Sequence, residues 1–207
     1  MGIKEKRAKI REEFRQEILN EARALFVKDG YEKFSLRRLA EQIGYTPTTI
    51  YRYFKDKDEL LYAVCEDVAE YFFAHLNRVK ALYPNPIDAL REGMLCHLAL
   101  GFDNPAHFRV FFFTKPDVYG THEDFLEKKS VARECYLAFR ELVQSCIEAG
   151  QLRRMDPVLL TMIFGGAIHG IIAKRIFSTG FPMVDSRILA ETLVDGLLRG
   201  FRKEVSS

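Results

Sequence analysis

The chain has four cysteines in 207 residues, and they form no recognisable pattern. Cys65, Cys96, Cys135 and Cys146 include no Cys-x-x-Cys pair, which argues against a zinc knuckle or a disulfide framework and reads as reduced thiols. His75, His97, His107, His122 and His169 show no ligand spacing such as His-x-x-x-His, so no metal site is expected. There is no sustained period-two alternation and no Asn-Gly hairpin signal, so no sheet is expected. No nucleophile–base pair, metal cluster or phosphate-cradling glycine loop is legible, and the chain is read as a non-enzyme without a cofactor. Gly165-Gly166 sits inside an apolar helix and lacks the preceding strand of a nucleotide-binding turn. The first residues, MGIKEKRAKIREEF, are charged and lack the apolar run of a signal peptide. The most apolar stretch, Pro157 to Ala173, is short for a membrane span and reads as a buried helix. A cytoplasmic protein with no membrane association is expected.

What is present is helix. Hydrophobic residues make up 48% of the chain, enough for a core. Residues 1–57 carry 14 Lys/Arg against 9 Asp/Glu, and residues 58–207 carry 17 against 20. A basic first part suits a polyanion partner, although a solvated charged face would read the same way. Apolar spacing and capping chemistry predict nine helices, near 6–28, 36–43, 47–53, 57–82, 86–101, 105–113, 122–149, 157–178 and 186–203. Asn85-Pro86, Asn104-Pro105 and Asp156-Pro157 each place a capping residue before a proline at the first helical position. Thr121 with Asp124, Asp56 with Glu59, and Asp185 supply further starts. Asp29-Gly30, Gly101, Gly150 and Gly180 supply ends. Lys4, Lys6, Arg7, Lys9, Arg11 and Arg15 make a basic arm or a solvated helix start.

Ser35 to Lys57, SLRRLAEQIGYTPTTIYRYFKDK, is the most informative stretch. Ser35 caps a helix carrying Leu36, Leu39, Ala40 and Ile43, and Gly44 provides the left-handed turn. Thr46-Pro47 starts a second helix bearing Thr48, Thr49, Tyr51 and Arg52. Two short helices around a glycine turn, the second polar, aromatic and basic, form a helix-turn-helix suited to a DNA major groove.

With Phe14, Ile18, Leu19, Ala22, Leu25, Phe26, Gly30, Tyr31, Tyr53, Phe54, Lys57 and Leu60, this stretch resembles the N-terminal signature of the TetR/AcrR transcriptional regulators. The resemblance covers roughly residues 10–62. It implies an all-α protein with an N-terminal three-helix DNA-binding headpiece (residues 1–56). A C-terminal helical effector-binding and dimerisation domain (residues 57–207) would follow. It also implies that Tyr51, Arg52 and Lys57 touch the DNA backbone, while Tyr45, Thr46, Pro47, Thr48 and Thr49 lie over base edges. Ser35, Arg37 and Lys55 complete the DNA-binding set, and Tyr53 is either a phosphate contact or packing. The family often has glycine where this chain has Thr48, which adds a side chain able to meet a base but limits backbone approach.

Residues 157–178 are apolar nearly all round, and residues 186–203 repeat Leu189, Leu193, Leu197 and Phe201 with Gly196 and Gly200 beside them. The resemblance implies a homodimer through these two helices; an intramolecular core is the alternative. Phe102, Phe108, Phe111, Phe112 and Phe113 fall within twelve residues. Phe72, Tyr136 and Phe139 are placed to converge on them, with Cys96, His97, Thr161 and His169 as polar candidates. These residues read either as core or as a pocket for a small hydrophobic or aromatic effector. His169-Gly170 faintly matches a Trp-His-Gly signature of one subgroup, but the chain has no tryptophan. The expected function is a repressor released from a pseudo-palindromic double-stranded DNA operator by that effector. The alternative is a dimeric DNA-binding regulator answering to a protein partner or to thiol oxidation.

Overall fold

Helix α1 (Ile3–Lys33) buries Ile18, Leu19, Ala22, Leu25 and Phe26, one stripe at helical spacing. The computed structural model describes residues 2–115, 117–178 and 184–203. The helix starts earlier than expected because the Glu5 carboxylate accepts the Gly2 N–H at 2.7 Å. Of the two readings of the basic segment, an arm or a solvated helix start, the structure shows the helix start, with residues 2–13 exposed along it. Gly30 departs from helical geometry at φ 76°, ψ 168°, a conformation that side chains resist, and one further turn follows the kink.

Helix α2 (Leu36–Gln42) starts where the Ser35 hydroxyl accepts the Arg38 N–H at 3.2 Å. Gly44, at φ 74°, turns the chain into α3 (Pro47–Tyr51). Thr46 holds the N-cap position, but its hydroxyl pairs with that of Thr49 at 3.0 Å and caps no N–H. Helix α4 (Lys57–Leu82) begins at Asp56, whose carboxylate accepts the Glu59 N–H at 2.8 Å; Glu59 in turn accepts the Lys55 N–H at 2.7 Å.

Then come α5 (Pro86–Asp103) and α6 (Pro105–Arg109), a π turn at Val110–Thr114, α7 (His122–Glu127), α8 (Val131–Glu148), α9 (Pro157–Phe177) and α10 (Ser186–Phe201). The described residues contain ten α-helices and no strand, against the nine helices expected. The difference lies at residues 122–149, where the Ser130 hydroxyl accepts the Arg133 N–H at 3.1 Å and opens α8 as a new helix. The helix expected over 105–113 is α6 followed by the π turn. Thr121 with Asp124, Asp156 and Asp185 cap as expected. Asn85 and Asn104 do not. The Asn85 carbonyl oxygen accepts the Gln151 amide at 2.6 Å, and the Asn104 amide donates back to the Leu100 carbonyl at 3.2 Å. Gly150 ends α8 at φ 68°, whereas Gly101 lies inside α5. A Cβ at Gly101 would stand 2.5 Å from Ile172 Cδ1, so this glycine serves the approach of α5 to α9. Gly180 lies outside the described residues.

The chain divides into two units, residues 1–68 with 106–128 and residues 69–105 with 129–207. In the first, Phe26 stacks on Phe34 at 4.1 Å over Leu39, Ala40, Ile50, Phe54, Leu60 and Leu61, all buried. Arg23 and Asp67 form an ion pair there, with the Gln16 amide donating to Asp67 at 3.0 Å. In the second, Leu90, Met94, Leu98, Leu160, Phe164, Ile168, Ile172 and Val194 form the core. Arg91 clasps Asp195 with two N–H donors, at 2.7 and 3.3 Å, tying α5 to α10.

Candidate functional site

Helix α3 is five residues long and is held by one buried side chain, Ile50, with Phe54 buried just beyond it. Everything else on it faces outward or lies at the rim. Tyr45, Thr46, Thr48, Tyr51 and Arg52 are exposed, and Pro47, Thr49 and Tyr53 are half-buried. The Thr46 and Thr49 hydroxyls satisfy each other, which leaves the Thr48 hydroxyl and methyl presented to solvent. Tyr45 and Tyr51 are exposed and add aromatic surface beside the threonines.

A residue on α1 organises this rim. The Phe14 ring lies 4.5 Å from Tyr45 and 5.3 Å from Tyr53, so one side chain sets both tyrosines. Arg11 stands over the Tyr53 ring at 5.8 Å and Arg15 over Phe54 at 5.8 Å. Tyr53 is thus largely a packing residue whose face carries a cation. Sequence reasoning placed Phe14 on the apolar stripe of the first helix without its role under the tyrosines. Its position one turn before Ile18 was the available signal. Arg38 fastens α2 to α1 through Asp29 at 3.0 Å.

The other basic candidates differ in how they are held. Arg37 projects from the first turn of α2, 80% exposed, with Glu41 at 3.1 Å as its helical neighbour. Lys55 is also exposed, 4.0 Å from Asp56. Among the described residues Arg52 has no ion-pair partner. Lys57 is engaged: its ammonium lies 3.9 Å from the Tyr31 ring centroid and reaches the Tyr31 carbonyl at 3.5 Å. Beside it, Asp58 accepts from the Tyr31 hydroxyl and, at 3.1 Å, from Lys115. These two donors hold the Asp58 carboxyl below its ordinary range, the tyrosine contributing more.

The residues expected to meet an effector fall in both units. Phe108, Phe111 and Phe112 belong to the first unit, where Phe108 is buried and lies 4.6 Å from Phe112, itself 4.7 Å from Phe111. Tyr119 joins that cluster 5.8 Å from Phe111 and donates its hydroxyl to Glu66 at 2.9 Å.

Phe72, Cys96, His97, Tyr136, Phe139, Thr161 and His169 belong to the second unit. There the His97 ring stacks on Phe72 at 5.0 Å and lies 5.2 Å from the His169 ring. His97 Nε2 is sealed from solvent without a hydrogen-bond partner among the described residues. Burial drives both imidazoles towards their neutral forms, His97 down to about 3, with His169 adding to the shift, and His169 down to about 4. Tyr136 and Phe139 are half-buried on α8, with Arg140 6.0 Å over the Tyr136 ring. The Thr161 hydroxyl is spent on the Pro157 carbonyl of its own helix, at 2.7 Å.

The thiols are placed against reactivity. Burial raises Cys65 and Cys146 to about 12 and Cys135 to about 11, and Cys96 also rises. Such thiols carry little thiolate near neutral pH.

Helices α9 and α10 leave one face uncovered. Leu159, Met162, Gly166, Gly170 and Phe177 are exposed along α9, and Ile188, Thr192, Gly196 and Gly200 along α10. A Cβ built on Gly166, Gly170, Gly196 or Gly200 meets nothing within 4 Å. Helix α9 is also long and apolar enough to cross a membrane, with a mean hydropathy of 1.5 over its best window.

Comparison with known proteins places these features in context. The family model for bacterial regulatory proteins of the tetR family matches residues 18–64. An HTH-type transcriptional regulator of Staphylococcus aureus strain USA300 is 33% identical over 94 residues, which cover 45% of this chain and 51% of that protein. The chain therefore spans about half the length of such curated relatives. A similar regulator from strain MRSA252 is 32% identical over 134 residues, covering 56% of this chain and 72% of the relative. Among solved structures, the transcriptional regulator FadR of Bacillus subtilis in complex with stearoyl-CoA superposes with a TM-score of 0.73 at 16% identity. That match covers 90% of this chain and 99% of FadR and establishes likeness of fold.

Proposed function

This chain belongs to the TetR family of bacterial regulatory proteins, and from that premise we propose that it is a dimeric, sequence-specific DNA-binding transcriptional regulator. Residues 1–56 serve as its headpiece, and residues 57–207 as its effector-binding and dimerisation domain. The observation that carries the reading is the outward face of α3: Thr48, Tyr51 and Arg52 are exposed beside Tyr45 and Thr46, on a helix held by Ile50. Threonine methyls and hydroxyls can meet thymine methyls and base edges, while Arg52, Arg37 and Lys55 supply phosphate contacts. The exposed basic residues at the start of α1 extend that field.

One such headpiece spans only a few base pairs, so two are needed for a useful site. The uncovered face of α9 and α10 is suited to a two-fold partner: it is apolar and small, and its glycines leave room for close helix approach. The same burial in a dimer accounts for the apolarity of α9 without a membrane, in keeping with a cytoplasmic regulator. We infer repression relieved by a small hydrophobic or aromatic effector bound in the second unit, beside Phe72, His97, Tyr136, Phe139 and His169. The raised thiol pKa values weigh against thiol oxidation as the signal.

In vitro selection of bound duplexes with the full chain tests the reading. The expected product is a pseudo-palindrome whose half-site centres lie about one helical turn or a multiple apart. A monomer in solution, or no enrichment over random duplex, would sink it.

A further inference from the structure

The second unit brings two histidines together. His97 on α5 and His169 on α9 bring their rings to 5.2 Å, tilted by 50°, with Phe72 stacked on the far face of the pair at His97. His97 Nε2 is enclosed without a partner among the described residues. Enclosing a polar nitrogen without a partner is unfavourable, and a hydrogen-bonding ligand would relieve it. Charged and titratable groups on α4, α8 and α10 are engaged elsewhere. Asp195 on α10 is clasped by Arg91, His75 on α4 is satisfied by the Tyr71 carbonyl at 2.7 Å, and Arg140 on α8 lies over Tyr136. Among the described residues, His169 is the titratable group that bears on His97.

We propose that His97 and His169 form the polar end of an effector site for an apolar carboxylic acid, which enters together with a proton. The proposal rests on the effector reading above and names the chemistry of the effector. Two imidazoles at this spacing suit a group with two oxygens, one meeting His97 Nε2 and the other turned towards the His169 ring. Neutral imidazoles in apolar surroundings offer no charge to a bare carboxylate. When the carboxylate arrives, its negative charge favours imidazolium, and the complex takes one proton from the buffer. The atoms balance: one proton moves from solvent to the carboxyl–imidazole pair, and no bond other than hydrogen bonds is formed. Phe72, stacked on His97, supplies apolar surface for the rest of the molecule.

The test is calorimetric titration of the full chain with straight-chain and aryl carboxylic acids of six to twelve carbons, and with the matching alcohols. Two buffers of different ionisation enthalpy are used. Acids are expected to bind with uptake of about one proton and with affinity falling about tenfold per pH unit from pH 6 to 7. Alcohols should bind more weakly and without pH dependence. His97→Phe, which keeps the stack on Phe72, should abolish proton uptake and the preference for acids. His169→Phe should do the same, and circular dichroism of both variants confirms that they are folded. Equal binding of acids and alcohols without proton uptake, or no binding by any acid, overturns the proposal. Should alcohols release DNA where acids do not, this inference fails and the effector reading survives. Should acids bind with proton uptake yet leave operator affinity unchanged, the acid site stands and regulation through it falls.

Discussion

At the scale of single residues, the set proposed to face DNA divides by what each side chain already touches. Arg52 is exposed without an ion-pair partner among the described residues, while Lys57 rests on the Tyr31 ring and carbonyl. Arg52→Ala is therefore expected to weaken operator binding across sequences and to lower the salt-dependence slope by about 0.9. Lys57→Ala should lower it by less, because that ammonium must first leave Tyr31. Binding isotherms at four salt concentrations read both slopes, and equal loss in the two variants would contradict the distinction. Thr48→Ala should leave the slope alone and change base preference at one position in each half-site.

His97 and His169 give a second residue-scale expectation, this one for stability. Their folded pKa values, about 3 and about 4, lie below the ordinary histidine value, so between pH 6.5 and those values the unfolded chain binds more protons than the folded one. Stability therefore falls as the pH drops through this window, by up to ~1.4 kcal/mol per pH unit for each group. Denaturant melts at pH 7 and pH 5 should show a loss that is smaller in His97→Phe by about 2 kcal/mol or less. An identical loss in both proteins would mean that His97 titrates normally.

Among the secondary-structure elements, what could be read from sequence was what is decided locally. Ser35, Asp56 with Glu59, Thr121 with Asp124, Asp156 and Asp185 all cap the helices that their chemistry announced, because donor and acceptor lie within a few residues. Asn85 and Asn104 carry the same chemistry, but Asn85 is claimed by Gln151, 66 residues away. Asn104 turns back on α5, so local reading misplaced both. Ser130 was invisible because apolar spacing runs on through 122–149; only its hydroxyl on Arg133 N–H shows that α8 starts afresh. Ser130→Ala should cost about 1 kcal/mol in denaturant melts, a cap's usual worth, and no loss would remove it as the cause of the break. Gly101 was misread for a related reason: its demand comes from Ile172 on another helix. Gly101→Ala should destabilise by roughly 1–3 kcal/mol through overpacking, since Ile172 is buried and stiff at its β-carbon. Helix α3 was legible for the same local reasons as the caps. The histidine pair was named residue by residue, but its ring-to-ring approach depends on how α5 packs against α9.

For the whole molecule, the proposed function turns on the pairing of two chains. The exposed face formed by Leu159, Met162, Gly166, Ile188 and Gly196 is costly to leave in water, and among the described residues nothing lies within 4 Å of a Cβ built on either glycine. A bulky side chain at Gly166 or Gly196 would point into open space in the isolated chain, so it should leave the fold of each chain intact. Between two chains it would force the helices apart by several ångströms, since small residues are what allow close approach. Gly166→Leu combined with Gly196→Leu is thus expected to give a chain that melts with unchanged helicity but elutes as a monomer in sedimentation or light scattering. Operator affinity should fall with it by at least a hundredfold, because a single headpiece retains only one half-site. The pattern of both results matters. Loss of DNA binding with the dimer intact would place these glycines in the headpiece's service, and a monomer that still binds the operator at full strength would detach sequence recognition from two-fold symmetry. If instead the double variant remains dimeric, the contact between chains lies on another face, and the apolar stripe of α9 must be covered by something other than a second copy.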